Sequence, residues 1–427
     1  MRNLMRFALS LGGSRVAYRE VHDGTCVDIG GAEVAVLKER HTPLAYAGRL
    51  GEHRMAQTVL FVMMGQLLSG FASTAISLAG FVLGVPTLAA QTVADLGRLT
   101  VTEVWEIDGH TRFERLSDVS GVAETPLGTV WIAGYSEILA VDPTDPSGTS
   151  DVVVAEGKGD GPGELLGADR IAITPDGHVA IHDLGRDAIE IYSAAGKPVR
   201  RVQLSFSVQW PKGFSVLASG DFVLSGGVPW IESAIHRFNS AGEHLGSWGD
   251  AAGAEEWLAR VVGTGGATHA SLDGSLVYSN GAPHSIVRYE FPPTGGGEPV
   301  SRTVAEVPGL LEAPGDAVLV RGVDDEGIKY TSFNVWYPQS HAVFALDEGR
   351  VLNIIRRKGG DGNLETVWQL FEPSHEALDA STHALVGEGI VSVPYRLWFL
   401  CGNGEILATR MDDLGVQTVV RLRMNVR

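Results

Sequence analysis

The sequence predicts an all-β protein, a six-bladed β-propeller of four-stranded blades preceded by an apolar signal or anchor helix. Three observations carry this expectation. After residue 91 long stretches of 3.6-residue apolar spacing are missing, and short Val/Ile/Leu runs are broken by Gly, Asp, Asn and Pro. Two kinds of turn signal alternate along that region, six of each in strict order. Ahead of it lies a 36-residue segment, residues 55–90, without one charged side chain.

That segment exceeds the ~20 residues a bilayer-spanning helix needs. His53 and Arg54 precede it, and it ends on Pro86, Thr87, Leu88, Ala89, Ala90 and Gln91, a helix breaker followed by small residues suited to a signal peptidase. Two readings follow: a cleaved secretory signal, with mature protein starting near Gln91, or an uncleaved membrane anchor. Either places residues 91–427 outside the cytoplasm, secreted or periplasmic. Membrane contact is expected only through residues 55–90, if they are retained. Residues 1–54 hold too little apolar surface to close a core alone. Since a signal normally begins a protein, they read as an N-terminal extension such as a mis-assigned start would leave.

Composition sets further bounds. Hydrophobic residues at 44% and charged residues at 20% are typical of a chain that folds around a core. The net charge is −18, and residues 1–90 carry 8 basic and 6 acidic side chains, which leaves 25 basic against 45 acidic for the remainder. A surface so biased repels phosphate backbones and anionic headgroups, so nucleic acid is excluded as a partner. Cys26 and Cys401 flank the apolar segment, so cleavage would leave Cys401 without a disulfide partner, a buried thiol acting as a small hydrophobe. A monomer is expected.

The first turn signal falls at 126–128, 175–177, 219–221, 273–274, 347–349 and 387–389, and the second at 142–148, 193–196, 239–242, 292–297, 359–362 and 402–404. Residues 171–204, IAITPDGHVAIHDLGRDAIEIYSAAGKPVRRVQL, give the clearest copy, four short strands joined by three turns. Such a sheet exposes two edges and an unsatisfied face, and gains stability by packing on the next copy in a ring. Six copies in 337 residues come to about 56 each, above the ~40–50 usual for propeller repeats. Loops at 249–265 and 308–335 are expected to absorb the excess. Residues 100–107, which have no complete blade of their own, are expected to pair with 418–426 and so close the ring.

The stretch GKGDGPGEL at 157–165, followed by Ile171 to Gly177, Val179 to Asp183, Ile189 to Tyr192 and Gly196, resembles the NHL-type six-bladed propellers of bacterial secreted proteins and lipoproteins. The resemblance covers residues 105–204 and the last forty residues and is faint between 250 and 340. Unlike many members of that group, this chain has no lipobox Cys after its apolar segment, so no lipid anchor is implied. The match concerns the fold, which serves scaffolds, binders and enzymes alike.

Several motifs are weighed against plainer readings. GKGDGPGEL lacks the strand before, helix after and downstream Lys-Ser/Thr or ribose-binding acid of a phosphate loop, and reads as a blade connection with Glu164 solvated or pinning it. His178 and His182 share a strand face, but one strand rarely builds a metal site, and no metal or other cofactor is indicated. Asp176, Asp273 and Asp347 sit where a hairpin uses an Asx side chain, and EF-hand spacing is absent. The nine tryptophans read as packing anchors between blades rather than a carbohydrate platform.

Counting eight residues back from the first-turn glycines, or from Gly220 and Gly389 in irregular copies, gives Ser120, Asp169, Lys212, Gly266, His341 and Ser381. In a propeller these converge at one end of the central channel. With neighbours Arg170, His269 and His383 they would form a mixed-charge pocket, so Asp169, Arg170, Lys212, His269, His341 and His383 are the candidate ligand-binding residues; the plainer reading is a polar, water-filled channel. The leading function is a non-catalytic extracytoplasmic binding or scaffolding propeller whose channel mouth or loop face takes a protein or small-molecule partner. The alternative is an enzyme, since six-bladed relatives include gluconolactonase-like hydrolases and metal-assisted lyases. No catalytic residue is assigned. A Glu-plus-two-Asn calcium set is not recognisable, whereas His269, His341 and His383 keep the lyase reading open.

Overall fold

In the computed structural model the described residues are short strands within 4–38 and residues 91–426 apart from 96–98, 109–118, 146–147, 149–150, 157–158, 160, 162–163, 252–263, 272, 280–284, 293–296, 307–317, 324–328, 335–338, 359–363, 374–382, 392–394 and 413–414. The apolar segment 55–90 lies outside them. Among the described residues no helix is long and apolar enough to cross a membrane.

Between residues 91 and 426 six antiparallel sheets form a ring, with the hairpin Val318–Val323 and Lys329–Asn334 belonging to a separate sheet. Blade 1 runs Val119–Glu124, Val130–Gly134, Glu137–Val141 and Val152–Glu156. Blade 2 runs Ala168–Ile173, Val179–Asp183, Ala188–Tyr192 and Pro198–Gln203, and blade 3 runs Gln209–Val216, Phe222–Gly227, Ser233–Phe238 and His244–Asp250. Blade 4 holds Thr268–Ala270, Leu276–Ser279, Ser285–Glu290 and Val300–Glu306, and blade 5 holds Gln339–Ala345, Val351–Lys358, Leu364–Pro373 and His383–Val391. Blade 6 takes three strands from the C-terminus, Arg396–Leu400, Ile406–Met411 and Gln417–Val426, and completes itself with Leu99–Ile107 and Gln91–Asp95. The first strand of each blade lies against the first strand of the next, and that of blade 6 returns to blade 1. These six strands are therefore the inner wall of the ring.

The local reason for each blade is its first turn. In blades 1, 2, 3, 4 and 6 the residue before the turn both donates to and accepts from the loop, as when Thr174 N–H bonds the His178 carbonyl and Gly177 N–H bonds the Thr174 carbonyl. This is a type I turn closed by a residue of positive φ, which glycine adopts without a Cβ clash. Gly128, Gly177, Gly220, Gly274, Gly349 and Gly404 all have φ between +74° and +85°. Blade 5 varies the theme, with Glu348 also at positive φ beside Gly349.

Strand alternation then sends one face of each blade to each neighbour. In blade 2, Ala172, Ala180, Ile189 and Ile191 pack on Phe214, Val216, Phe222 and Leu224 of blade 3. The opposite face, Ile171, Val179, Ile181 and Tyr192, packs on Ala123, Trp131 and Ala133 of blade 1. Trp131 and Trp368 are fully buried between blades, as expected of packing anchors, whereas Trp230 is 68% exposed. Cys401 is buried, and burial pushes its thiol pKa up.

Two features differ from the sequence-based expectation. Gly387 and Gly389 lie inside the fourth strand of blade 5, paired with Leu370 and Trp368, so they are no turn. The sixth first turn is 402–404, which had been read as a second-type turn, and residues 359–363 connect the second and third strands of blade 5. The long connection 308–335 contains a hairpin, Val318–Val323 with Lys329–Asn334.

Blade 3 contains a fully buried histidine, His236, whose Nε2 donates to the Gly226 carbonyl at 3.1 Å, leaving Nδ1 to accept from Ser247 Oγ at 2.8 Å. Burial holds its pKa down to about 4. The neutral ring is thus favoured by the fold, while the unfolded chain takes up a proton near 6.5, so stability is full above about 6.5 and falls as pH drops toward 4. The loss should reach on the order of 3 kcal/mol. Thermal midpoints from pH 7 to 4 should fall more steeply for wild type than for His236→Gln, and parallel slopes would exclude this histidine as the source.

Candidate site at the channel mouth

The position five residues before each first turn begins is occupied by Ser120, Asp169, Lys212, Gly266, His341 and Arg396. Correcting the sixth turn to 402–404 replaces Ser381 by Arg396. All six lie at the entry end of the inner strands, and all but Gly266 are partly exposed.

Backbone irregularity aims these side chains. Register shifts between Val119 and Gly121, between Ala168 and Arg170, and between Ser340 and Ala342 leave Ser120, Asp169 and His341 as the extra residues of β-bulges. In blade 3 the shift spans Gln209 to Gly213, which places Trp210, Pro211 and Lys212 outside the ladder. Bulges are a recurrent means of re-aiming a side chain beside a site. Trp210 stands at φ +46°, an uncommon conformation for a bulky residue.

Around Asp169 the structure builds a charged cluster. Arg170 Nη1 lies 3.2 Å from Asp169 Oδ1 and also donates to the Asp169 carbonyl at 3.0 Å. His182 pairs with Arg170 across the two inner strands, so both side chains leave the same face of the blade, toward blade 3. Its Nδ1 is 3.8 Å from Asp169 Oδ2, beyond hydrogen-bond length. Burial opposes ionisation of Asp169, but Arg170, His182 and Arg396 together outweigh it and hold the carboxyl below its usual range. The reach of Arg396 is informative, because it comes from blade 6, two blades away. Asp169 and Arg170 each keep about a fifth of their side-chain surface exposed, as expected for groups lining a narrow internal opening (18% and 20%). Asp169 Oδ2 and both ring nitrogens of the buried His182 have no hydrogen-bond partner.

The structure therefore places Asp169, Arg170, Lys212 and His341 at or beside one ring position, and sends the other two candidates elsewhere. His269 is three residues past the ring position, packed edge-on against Phe344 at 5.5 Å, with Nδ1 accepting the Ala345 N–H at 3.3 Å. Burial depresses its pKa to about 4. It is a neutral inter-blade contact. His383 stands on the outermost strand of blade 5, with Nε2 donating to the Gly349 carbonyl at 2.8 Å. Gly349 belongs to the turn that follows the inner strand carrying His341, so the two histidines mark opposite ends of the blade. Sequence reasoning missed Arg396 and His182. Counting back from Gly404 finds the first, and the His182–Arg170 pairing identifies the second.

Other singled-out groups serve the scaffold. Asp183 accepts from the Leu166 and Gly185 backbone N–H groups and pairs with Arg186 at 2.7 Å, and Glu164 accepts from Gly161 N–H at 2.7 Å, which pins the glycine-rich connection. His178 bonds Asp176 on an exposed turn. Asp273 accepts from Ser275 N–H at 2.9 Å, the expected Asx role. Among the described residues no group of three His, Cys, Asp or Glu side chains could hold a metal.

No protein-family model matches the sequence, and no curated protein does. Among solved structures the chain is similar to a streptogramin B lyase, at 12% identity, covering 77% of this chain and 98% of that one, with a TM-score of 0.41. It is also similar to a DUF4221 member from Bacteroides vulgatus, at 7% identity over 78% and 100% with a TM-score of 0.46. A third is a calcium-binding protein, regucalcin, from Agrobacterium tumefaciens, at 12% identity over 72% and 91% with a TM-score of 0.41. Likenesses this distant carry no argument about activity, and the propeller assignment rests on the strand pairing itself.

Proposed function

We propose that this chain is an exported, NHL-type, non-catalytic binding propeller that takes a small polar ligand at its channel mouth. The observation that supports it most is the partly exposed pair Asp169–Arg170 at the ring position, with Asp169 Oδ2 and the nitrogens of the buried His182 unpartnered beside it. A buried polar group without a partner costs ~1–3 kcal/mol, which a ligand bonded there offsets. Apolar side chains further along the same strands make the main inter-blade contacts, so the core does not need Asp169 or Arg170. The metal-assisted enzyme reading depended on His269, His341 and His383 converging, and their strands carry them apart.

The test is a thermal-shift screen of small polar compounds against the wild type, Lys212→Ala and His341→Ala. Compounds that raise the wild-type midpoint should lose that effect in both variants, whose own midpoints should stay within the ~0.5 kcal/mol typical of substitutions outside the core. Hits that stabilise the variants as well as the wild type would move the site away from the channel mouth.

A further inference from the structure

We infer that the channel mouth selects a small anion bearing carboxylate or phosphate oxygens; this rests on the binding reading above and names its ligand class. The ring position and its neighbour hold one carboxylate, Asp169, against three permanent cations, Arg170, Lys212 and Arg396. That balance inverts the rest of the chain, where residues 91–427 carry 25 basic and 45 acidic side chains. An opening with an excess of one sign of charge focuses its field, so an anion repelled by the outer surface is drawn to this one place.

The geometry adds direction to the charge. Arg170 is held at Asp169 through a single nitrogen, Nη1, which bonds both the carboxylate and the backbone carbonyl. Arg396 on blade 6, its guanidinium 4.1 Å from the Trp398 ring centre, adds to the positive field at the same carboxylate. Asp169 thus positions the Arg170 guanidinium and Trp398 that of Arg396, and the planar fork of each suits the paired oxygens of a carboxylate or phosphate. On blade 3 the bulge at 210–212, with Trp210 at its outlying φ, takes Lys212 out of the ladder at the same end of the ring. His182 is fully buried behind the cluster with neither ring nitrogen hydrogen-bonded, so it adds a polar N–H beside the site rather than a direct contact. A cationic ligand would find Asp169 Oδ1 engaged at 3.2 Å and only the buried Oδ2 left, with a positive excess around it.

The experiment is calorimetric titration of the purified protein with succinate, with inorganic phosphate and with putrescine as a cationic control, at about 20 mM and about 200 mM salt. Saturable binding is expected for at least one anion, and succinate alone or phosphate alone identifies which oxygen donor is recognised. Affinity should weaken several-fold at the higher salt and about tenfold or more in Arg396→Ala, with partial recovery in Arg396→Lys, which keeps charge but loses the fork. Absence of saturable binding for both anions, binding indifferent to Arg396→Ala and Arg396→Lys, or saturable putrescine binding would each overturn the inference. A neutral or cationic compound that binds in a Lys212-dependent manner while both anions fail would remove the anion class and leave the channel-mouth site standing.

Discussion

Deleting residues 415–427 is expected to abolish cooperative unfolding. The strand Gln417–Val426 pairs on one side with Ile406–Met411 and on the other with Leu99–Ile107, in eight residue pairs from Val419–Ile107 to Val426–Leu99. It is the seam that makes a ring of a linear chain. Val419, Val420 and Leu422 are fully buried within it, packed with Val101 and Ile107 of the N-terminal strand. Three such side chains contribute ~5–9 kcal/mol of burial, at ~1.5–3 each, against a net stability of ~5–15 kcal/mol for a typical domain. Polar groups reinforce the seam: Arg410 bridges Glu103 and Glu106, Tyr395 donates to Glu103 at 2.8 Å, and Arg421 links Glu124 of blade 1 to Glu405 of blade 6. Without the strand both edges of the seam would be open for pairing with other chains. Far-ultraviolet circular dichroism on heating should show a broad, shallow transition for the deletion. Leu422→Ala should keep a sharp one, destabilised by ~2–5 kcal/mol. A deletion protein with the wild-type midpoint would mean that the ring does not depend on this closure.

Asp221→Ala should cost ~3–5 kcal/mol, because it strands a buried cation. Arg237, on the third strand of blade 3, is fully buried; its Nε donates to Asp221 Oδ2 at 2.9 Å and Nη2 bonds the same oxygen. Nη2 also reaches the Pro292 carbonyl at 3.2 Å, and the guanidinium lies 5.0 Å from the Phe291 ring centre, so blade 3 is tied to blade 4 through this one side chain. Removing the carboxylate leaves the guanidinium in an apolar setting without its counter-charge. Removing both charges in Asp221→Ala/Arg237→Met should recover most of the loss, since an apolar replacement of a buried pair is often close to neutral. Urea unfolding of the two variants separates these outcomes. A single variant within ~0.5 kcal/mol of wild type would show that solvent reaches Arg237 and that the pair is not a buried one.

The candidate site was half legible before the structure. Asp169, Lys212 and His341 were found by counting from turn glycines, and the count worked because a type I turn with a positive-φ closing residue fixes the register of the strand before it. His269 entered only as a neighbour of the counted Gly266, three residues further on. Each residue along a strand advances ~3.3 Å and alternates faces, so three positions past the ring are enough to carry a side chain from the channel to an inter-blade contact.

The sequence by itself determined what depends on single residues and their immediate neighbours: all-β content, five of the six first turns, and the need for a terminal strand to seal an otherwise open edge. Tertiary structure decided the register of the last two blades and the membership of the channel ring. Gly387 and Gly389 look like a turn in isolation, yet pairing with Leu370 and Trp368 keeps them extended, and blade 6 begins only at Arg396. Glycine permits a turn without requiring one, and the choice is made by backbone hydrogen bonds to a strand distant in sequence. The place of Arg396 at the ring position beside Asp169 has the same origin, since ring closure puts both at one end of the inner strands and no local pattern connects residues 227 positions apart.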